Sequence, residues 1–442
     1  MGSLAAQNGV APERAFETST IHAGQRPDPT NRSVAVGIFP STAYVYESAQ
    51  HVEDIASHKV KAYHYSRIAN PTNTVFEDRM TELEGGIGAI ATASGQAATL
   101  VALLAIAKAG DSFVVSTKLY GGSAHQFNVF LPRLGITARL VEGNDPAAFE
   151  AAIDETTKGI FVESITNPLL EVMDIPGLAE VAHRSGIPLI VDNTFGCGGY
   201  LIRPLDLGAD IIVESATKWL GGHGVTLGGV VVSGGNFEWA GNPRFPELNE
   251  PFAGYHGLIL TKQFGRHAFL AKMRMETQRE MGATLSAHSS FQLLQGLETL
   301  PLRVDRHTSN SLALARWLEA HPKVLWVSHP SLESHPSYDL AKKTLKRGSG
   351  GMLAFALKPV GDKPSDIVAQ EFIDATTLCH HCPNIGDVRT LVVHPSRTTH
   401  RQLTKEQLLI NGCVPELIRV SVGLENIDDI IADFKQAIEK VI

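Results

Sequence analysis

The runs Pro188-Leu189-Ile190-Val191-Asp192 and, a short way on, Ile211-Ile212-Val213-Glu214-Ser215-Ala216-Thr217-Lys218 decide the reading of this chain. Each is a brief apolar stretch closed by polar residues, the pattern of a buried strand in a mostly parallel sheet. Ligands of such sheets lie at the carboxyl ends of the strands. A carboxylate, Asp192, and an amine, Lys218, at two neighbouring ends suit a pyridoxal phosphate site. The amine can bond to the aldehyde, the carboxylate can keep the pyridine nitrogen protonated as an electron sink, and the hydroxyls of Ser215 and Thr217 can bind the phosphate. Either piece alone is weak, since Ser-x-Thr-Lys is common and an Asp that ends a strand is often a turn residue. Their conjunction carries the reading.

The rest of the chain extends this pattern. Its 442 residues suit two or three domains, and 43% hydrophobic with 19% charged residues is the make-up of an ordinary globular protein. From about residue 70, Ala89–Ala93, Phe113–Val115, Ile160–Val162, Leu189–Val191, Ile211–Val213 and Gly229–Val232 read as strands. Helices over Gly95–Ala107 and Ser123–Leu134 are stopped by Gly110 and Gly135. The stretch 234–257, rich in Gly, Pro, Asn and aromatics, reads as a long ordered loop. Gly351–Leu357, Leu391–Val393 and Leu417–Val422 then read as strands of a smaller α+β domain. A last helix carries Ile427, Ile430, Ile431, Phe434 and Ile438 on one face, with Asn426 as its N-cap. The expected organisation is an arm at 1–69, a large α/β domain at 70–283 and an α+β domain at 284–442.

A net charge of −8 argues against nucleic acid and anionic membrane as partners, and no apolar stretch is long enough to span a bilayer. Four cysteines are too sparse for a secreted disulfide framework, and no basic-then-apolar leader precedes Glu13, so the expected setting is cytoplasmic. Met1-Gly2-Ser3 lacks the Ser or Thr that a myristoylation signal needs at position 6, where Ala6 stands, and reads as a flexible tail. Cys379 and Cys382 enclose two histidines but have no second paired motif, so no metal site is expected.

Other strand ends add complementary groups. Ser94-Gly95-Gln96 leads a strand into a helix, where free N–H groups favour a phosphate; close strand–helix packing explains Gly95 equally well. Tyr120 either stacks on a flat heterocycle or is a half-buried turn residue. Asn167 either bonds a ring hydroxyl or substrate carboxylate or begins a turn. Upstream, Tyr65 and Arg67 precede a helix start with a spacing able to grip a phosphate. Downstream, Arg419 lies in an otherwise apolar strand and calls for an anion, either an internal carboxylate or the α-carboxylate of a substrate.

On these residues the chain resembles the Cys/Met-metabolism family of pyridoxal-phosphate enzymes, of fold type I. The resemblance runs from about Thr18 to Ile442 on Tyr65-Ser66-Arg67, Asn70-Pro71-Thr72, Ser94-Gly95-Gln96-Ala97-Ala98, Tyr120-Gly121-Gly122, Asn167-Pro168, Val191-Asp192-Asn193-Thr194, Ser215-Ala216-Thr217-Lys218 and the Arg419 strand. It implies that Lys218 is the cofactor-bound lysine, that Asp192 pairs with the ring nitrogen and that Tyr120 stacks on the ring and serves catalysis with Lys218. It also implies that Gly95, Gln96, Ser215 and Thr217 hold the phosphate, that Tyr65 and Arg67 come from a neighbouring subunit, and that Arg419, Asn167 and Asn384 bind substrate. The assembly implied is at least a homodimer and usually a homotetramer.

Ser19–Gln25 with Pro27-Asp28-Pro29, the loop ending in Tyr255-His256-Gly257, and Asn384-Ile385-Gly386-Asp387 resemble the O-acetylhomoserine sulfhydrylase branch (homocysteine synthases) in particular. The implied reaction replaces acetate at Cγ of O-acetyl-L-homoserine with a small nucleophile, sulfide giving homocysteine. Departures from that branch at Ser286-Ala287-His288-Ser289, Cys379-His380-His381-Cys382-Pro383 and Arg397 keep open a carbon nucleophile, such as an enolisable carbonyl compound, and a Cγ-lyase. A non-catalytic scaffold of the same fold is the alternative outside enzymology, and intact Lys218, Asp192 and Arg419 argue against it.

Overall fold

The computed structural model describes residues 14–57, 59–60, 62–401 and 404–441. The expected tail at 1–13 lies outside the described residues. Seven strands, β1 (Gly88–Thr92), β2 (Ser112–Ser116), β3 (Thr137–Val141), β4 (Thr157–Glu163), β5 (Leu189–Asp192), β6 (Ile211–Glu214) and β7 (Gly229–Ser233), form one sheet. Their order is β1-β7-β6-β5-β4-β2-β3. The pairs β2/β3, β2/β4, β4/β5 and β5/β6 are parallel, and β7 runs against both of its neighbours. β2, β4 and β7 are buried along their whole length, which is why they read as continuous apolar runs. β3 was not foreseen, because its sequence Thr-Ala-Arg-Leu-Val lies on an exposed edge and lacks that apolar signature.

Helices pack on both faces of this sheet and draw their limits from local chemistry. The helix Pro71–Glu84 begins with Asn70 accepting from the Thr72 N–H and with Pro71 in its first turn, and it stops at Gly85, whose φ is 76°. The helix after β1 covers Gly95–Leu104, shorter than expected because the chain turns off at Ala105. The helix expected to start at Ser123 begins at Gly121, and a π turn over Gln126–Phe130 interrupts it. The 234–257 stretch is ordered by an aromatic cluster in which Phe237, Trp239 and Phe245 lie within 4.5–5.8 Å of one another, and it contains a short helix at Pro246–Asn249.

The second sheet comprises β8 (Val324–Ser328), β9 (Met352–Leu357), β10 (His380–His381), β11 (Leu391–Val393) and β12 (Ile418–Ser421), in the order β10-β11-β12-β9-β8. β8 and the two-residue β10 were not foreseen; β8 carries the apolar run Val324-Leu325-Trp326-Val327 but exposes Leu325, and β10 is too short to show a pattern. The closing helix, Ile427–Val441, buries Ile430, Phe434 and Ile438 against β9 and β12, and Asn426 caps it through the Asp428 N–H. The expected fold class, a mostly parallel α/β sheet with a smaller C-terminal α+β sheet, is the observed one. Among the described residues no helix is long and apolar enough to cross a membrane.

Candidate active site

Because β4, β5 and β6 are parallel and adjacent, Glu163, Asp192 and the turn carrying Lys218 emerge on one edge of the sheet. Burial and the neighbouring Arg419 charge hold the Lys218 amine down at about 8, and its Nζ donates to Asn384 Oδ1 at 2.7 Å. Asp192 is half-buried, and its Oδ1 accepts from both the N–H (2.9 Å) and the hydroxyl (2.6 Å) of Thr194. Burial pushes its pKa up while those bonds pull it down. Thr194 also accepts from the Ser215 N–H at 2.9 Å, so one threonine ties the Asp192 strand to the lysine turn.

The lysine turn closes against the helix Gly95–Leu104. A Cβ at Gly95 would lie 2.7 Å from Ser215 Cβ, so only glycine lets that helix N-terminus come so close to Ser215. Thr217 Oγ1 and the Gly228 backbone exchange bonds at 3.0 and 3.2 Å, which pins the turn to the start of β7. Gln96 Nε2 donates to Gly122 O at 3.1 Å, linking this helix to the one behind Tyr120. Tyr120 is 43% exposed at the head of that helix, so its ring faces open space rather than the core.

Arg419 reaches the same region from β12. It is buried, its Nη1 donates to Asn167 Oδ1 at 3.1 Å, and its Nη2 has no partner. No Asp or Glu pairs with it among the described residues, so the internal-carboxylate reading of this arginine is not what the fold builds. Asn167, which precedes a cis Pro168, therefore faces the arginine rather than simply opening a turn. Asn384 meets Lys218 directly, a contact its motif alone did not foretell.

Other sequence candidates have different surroundings. Arg67 lies over the Tyr65 ring at 5.3 Å and donates to Arg279 O at 3.0 Å, so its contacts within the chain are with that segment. Arg397 pairs with Asp366 at 3.0 Å, and Ser286 caps the helix Ala287–Glu298 while His288 is exposed. Cys379 is buried, and Asp433 accepts from its N–H; His380 and His381 are exposed. Cys382, half-buried, lies close enough to Lys218 and Arg419 to act on the charge of both. Residues missed at the sequence level include Thr194, Asn411, whose side chain donates to Thr117 O and Leu119 O beneath Tyr120, and Glu163. Glu163 alone had a readable signal, a charge closing a buried strand.

A parallel sheet with an amine and a carboxylate at neighbouring strand ends, and an arginine brought from a smaller C-terminal sheet, defines a pyridoxal-phosphate enzyme of fold type I. The chain matches the Cys/Met metabolism PLP-dependent enzyme family over residues 17–439 and belongs to it. It is similar to the homocysteine synthase of Schizosaccharomyces pombe, at 51% identity over 96% of this chain and 98% of that protein. It is also similar to the homocysteine/cysteine synthase of Saccharomyces cerevisiae, at 46% identity over 96% and 98% of the two chains. In structure it resembles a Campylobacter jejuni protein described as an O-acetylhomoserine (thiol)-lyase and solved with a pyridoxyl-lysine monophosphate. The TM-score is 0.92 and the identity 36%, covering 96% of this chain and 99% of that one.

Proposed function

We propose that this enzyme replaces the acetate of O-acetyl-L-homoserine with sulfide at Cγ, giving L-homocysteine. The observation that carries the proposal is Arg419, a buried guanidinium with one amine free, placed close enough to Lys218 to lower its pKa. An amino-acid carboxylate satisfies that amine and sets Cα beside a lysine whose proton affinity is already lowered. The relatives named for homocysteine synthesis support sulfide as the nucleophile.

The residues fit the cofactor on two counts, the side-chain-free approach at Gly95 and a lysine amine with a depressed pKa facing the site, and the unpartnered Arg419 amine fits its amino-acid substrate. Lys218 would be the attachment point, and Asp192, its carboxylate fixed by Thr194, would pair with the ring nitrogen. Tyr120 would stack on the ring. Gly95, Gln96, Ser215 and Thr217 would hold the phosphate, together with Tyr65 and Arg67 of a second copy. Pyridoxal phosphate, when bound, supplies an aldehyde for the substrate amine and a ring that withdraws electrons from Cα. Lys218 Nζ, as free amine, takes and returns the proton at Cα. Asn384 Oδ1 holds that amine in place, and Arg419 with Asn167 and Asn384 orients the substrate carboxylate.

The arm at 1–69, the cofactor domain at 70–283 and the C-terminal domain at 284–442 are then the working units of an assembly of two or four copies. Val34 (82% exposed), Val45 (96%), Val225 (65%) and Leu227 (65%) support that assembly as apolar side chains a second copy would cover. The four unpaired cysteines support a cytoplasmic setting.

The test offers O-acetyl-L-homoserine to the holoenzyme with sulfide, with an acetoacetate-like carbon nucleophile, and alone. Homocysteine is expected from the first mixture only. A new C–C product without homocysteine would replace sulfide by a carbon nucleophile, and 2-oxobutanoate released without an acceptor would make the protein a lyase. Lys218→Ala should lose turnover by about a thousandfold or more and lose the cofactor–lysine absorbance at about 420 nm. Full activity in that variant would sink the lysine mechanism, and absence of such a band from wild-type protein would return the scaffold reading.

A further inference from the structure

Glu163 has no part in the chemistry above, yet it occupies the centre of its architecture. It closes β4, is 5% exposed, and stands in register with Asp192 on β5. Its two carboxylate oxygens serve two different loops. Oε1 accepts from the backbone N–H of Tyr120 at 2.5 Å, and Oε2 accepts from the backbone N–H of Asn167 at 3.2 Å. Asn167 passes the link on, its Oδ1 accepting from Arg419 at 3.1 Å.

The bland role for such a residue is a core glutamate neutralised by a cation, and no Lys, Arg or His pairs with Glu163 among the described residues. A carboxylate in this position is costly: burial and the nearby Asp192 push its pKa well up, and the two N–H bonds alone oppose that. A polar group kept at such cost and bonded only to two site loops has a positional task.

We infer that Glu163 is a positioning residue that joins the two walls of the site, fixing through one carboxylate both the turn that presents the Tyr120 ring and the Asn167–Arg419 grip on the substrate carboxylate. The inference rests on the site reading given above. Glutamine in its place keeps one acceptor but turns an NH2 group toward the other N–H. Aspartate keeps both acceptors but is one methylene shorter and does not span the two loops.

The experiment uses full-length holoenzyme and the variants Glu163→Gln, Glu163→Asp, Asn167→Ala and Glu163→Gln/Asn167→Ala. Both Glu163 variants should retain the cofactor–lysine absorbance and raise KM for O-acetyl-L-homoserine about tenfold or more, with KM for sulfide unchanged. In KM for the amino acid the double variant should be no worse than the poorer single one, because Glu163 reaches the substrate carboxylate through Asn167. An unchanged KM for the amino acid in either Glu163 variant, multiplicative increases of that KM in the double variant, or failure of both Glu163 variants to assemble as holoenzyme would overturn the inference. The site reading has its own test here: if Asn167→Ala leaves KM for the amino acid unchanged, the carboxylate grip is misplaced. Glu163 is refuted separately if Asn167→Ala raises that KM and the Glu163 variants do not.

Discussion

Lys218 shows how far one residue's surroundings set its chemistry. Burial and the Arg419 charge bring its amine to about 8, while Cys382 opposes them weakly. Below that pH the amine is protonated and cannot take a proton from Cα; above it the free base predominates. The amine-dependent limb of kcat should therefore rise with pH through about 8 and level off beyond it, and a kcat independent of pH between 6 and 9 would exclude Lys218 as the proton acceptor. At this scale the sequence was generous. An Asp, a Lys and an Arg stand in or beside apolar runs where packing gives no reason for a charge, so Asp192, Lys218 and Arg419 were visible beforehand. Glu163 showed only as a charge closing a buried strand, and neither its task nor that of Thr194 was legible, because both are defined by which backbone N–H groups fold onto them.

Elements matter here through their ends. The helix Gly95–Leu104 meets the Ser215 turn so closely that Gly95→Ala should weaken pyridoxal phosphate binding by about tenfold or more, the equivalent of an overpacking cost of about 1–3 kcal/mol, as measured by cofactor titration of the apoprotein. Away from the site, the helix Ile175–Arg184 is fastened to the sheet by His183, whose Nε2 lies 2.9 Å from Asp210 Oδ2; the same oxygen accepts from the Leu189 N–H. The bond to Asp210 raises the His183 pKa, so its stabilisation is fully present below the unfolded value and is lost as pH rises through the folded one. The melting temperatures of wild type and His183→Ala should therefore differ more at pH 6 than at pH 9; equal differences would show that the pair contributes nothing through charge. Buried strands and capped helices were legible because burial and capping leave local marks. The exposed β3 and the two-residue β10 leave none, since their place depends on the neighbour they pair with; β8 leaves the apolar run Val324-Leu325-Trp326-Val327, which its pairing with β9 makes a strand.

For the whole molecule, the proposed sharing of Tyr65 and Arg67 between copies has a direct consequence. Lys218→Ala and Arg67→Ala subunits, each inactive alone, should regain about a quarter of wild-type activity when unfolded and refolded together in equal amounts, because half the dimers are mixed and each of those holds one intact site. No recovery would place Arg67 in the site of its own chain or outside any site. The sequence by itself determined the alternation of strands and helices, the polar groups at the strand ends, and hence the class of chemistry, since those are written in local periodicity and residue type. Only the tertiary structure decided that Arg419 meets Asn167 across 252 residues and that Lys218 meets Asn384 across 166. Such contacts are fixed by how two sheets pack against each other, and no local pattern in the chain encodes that packing.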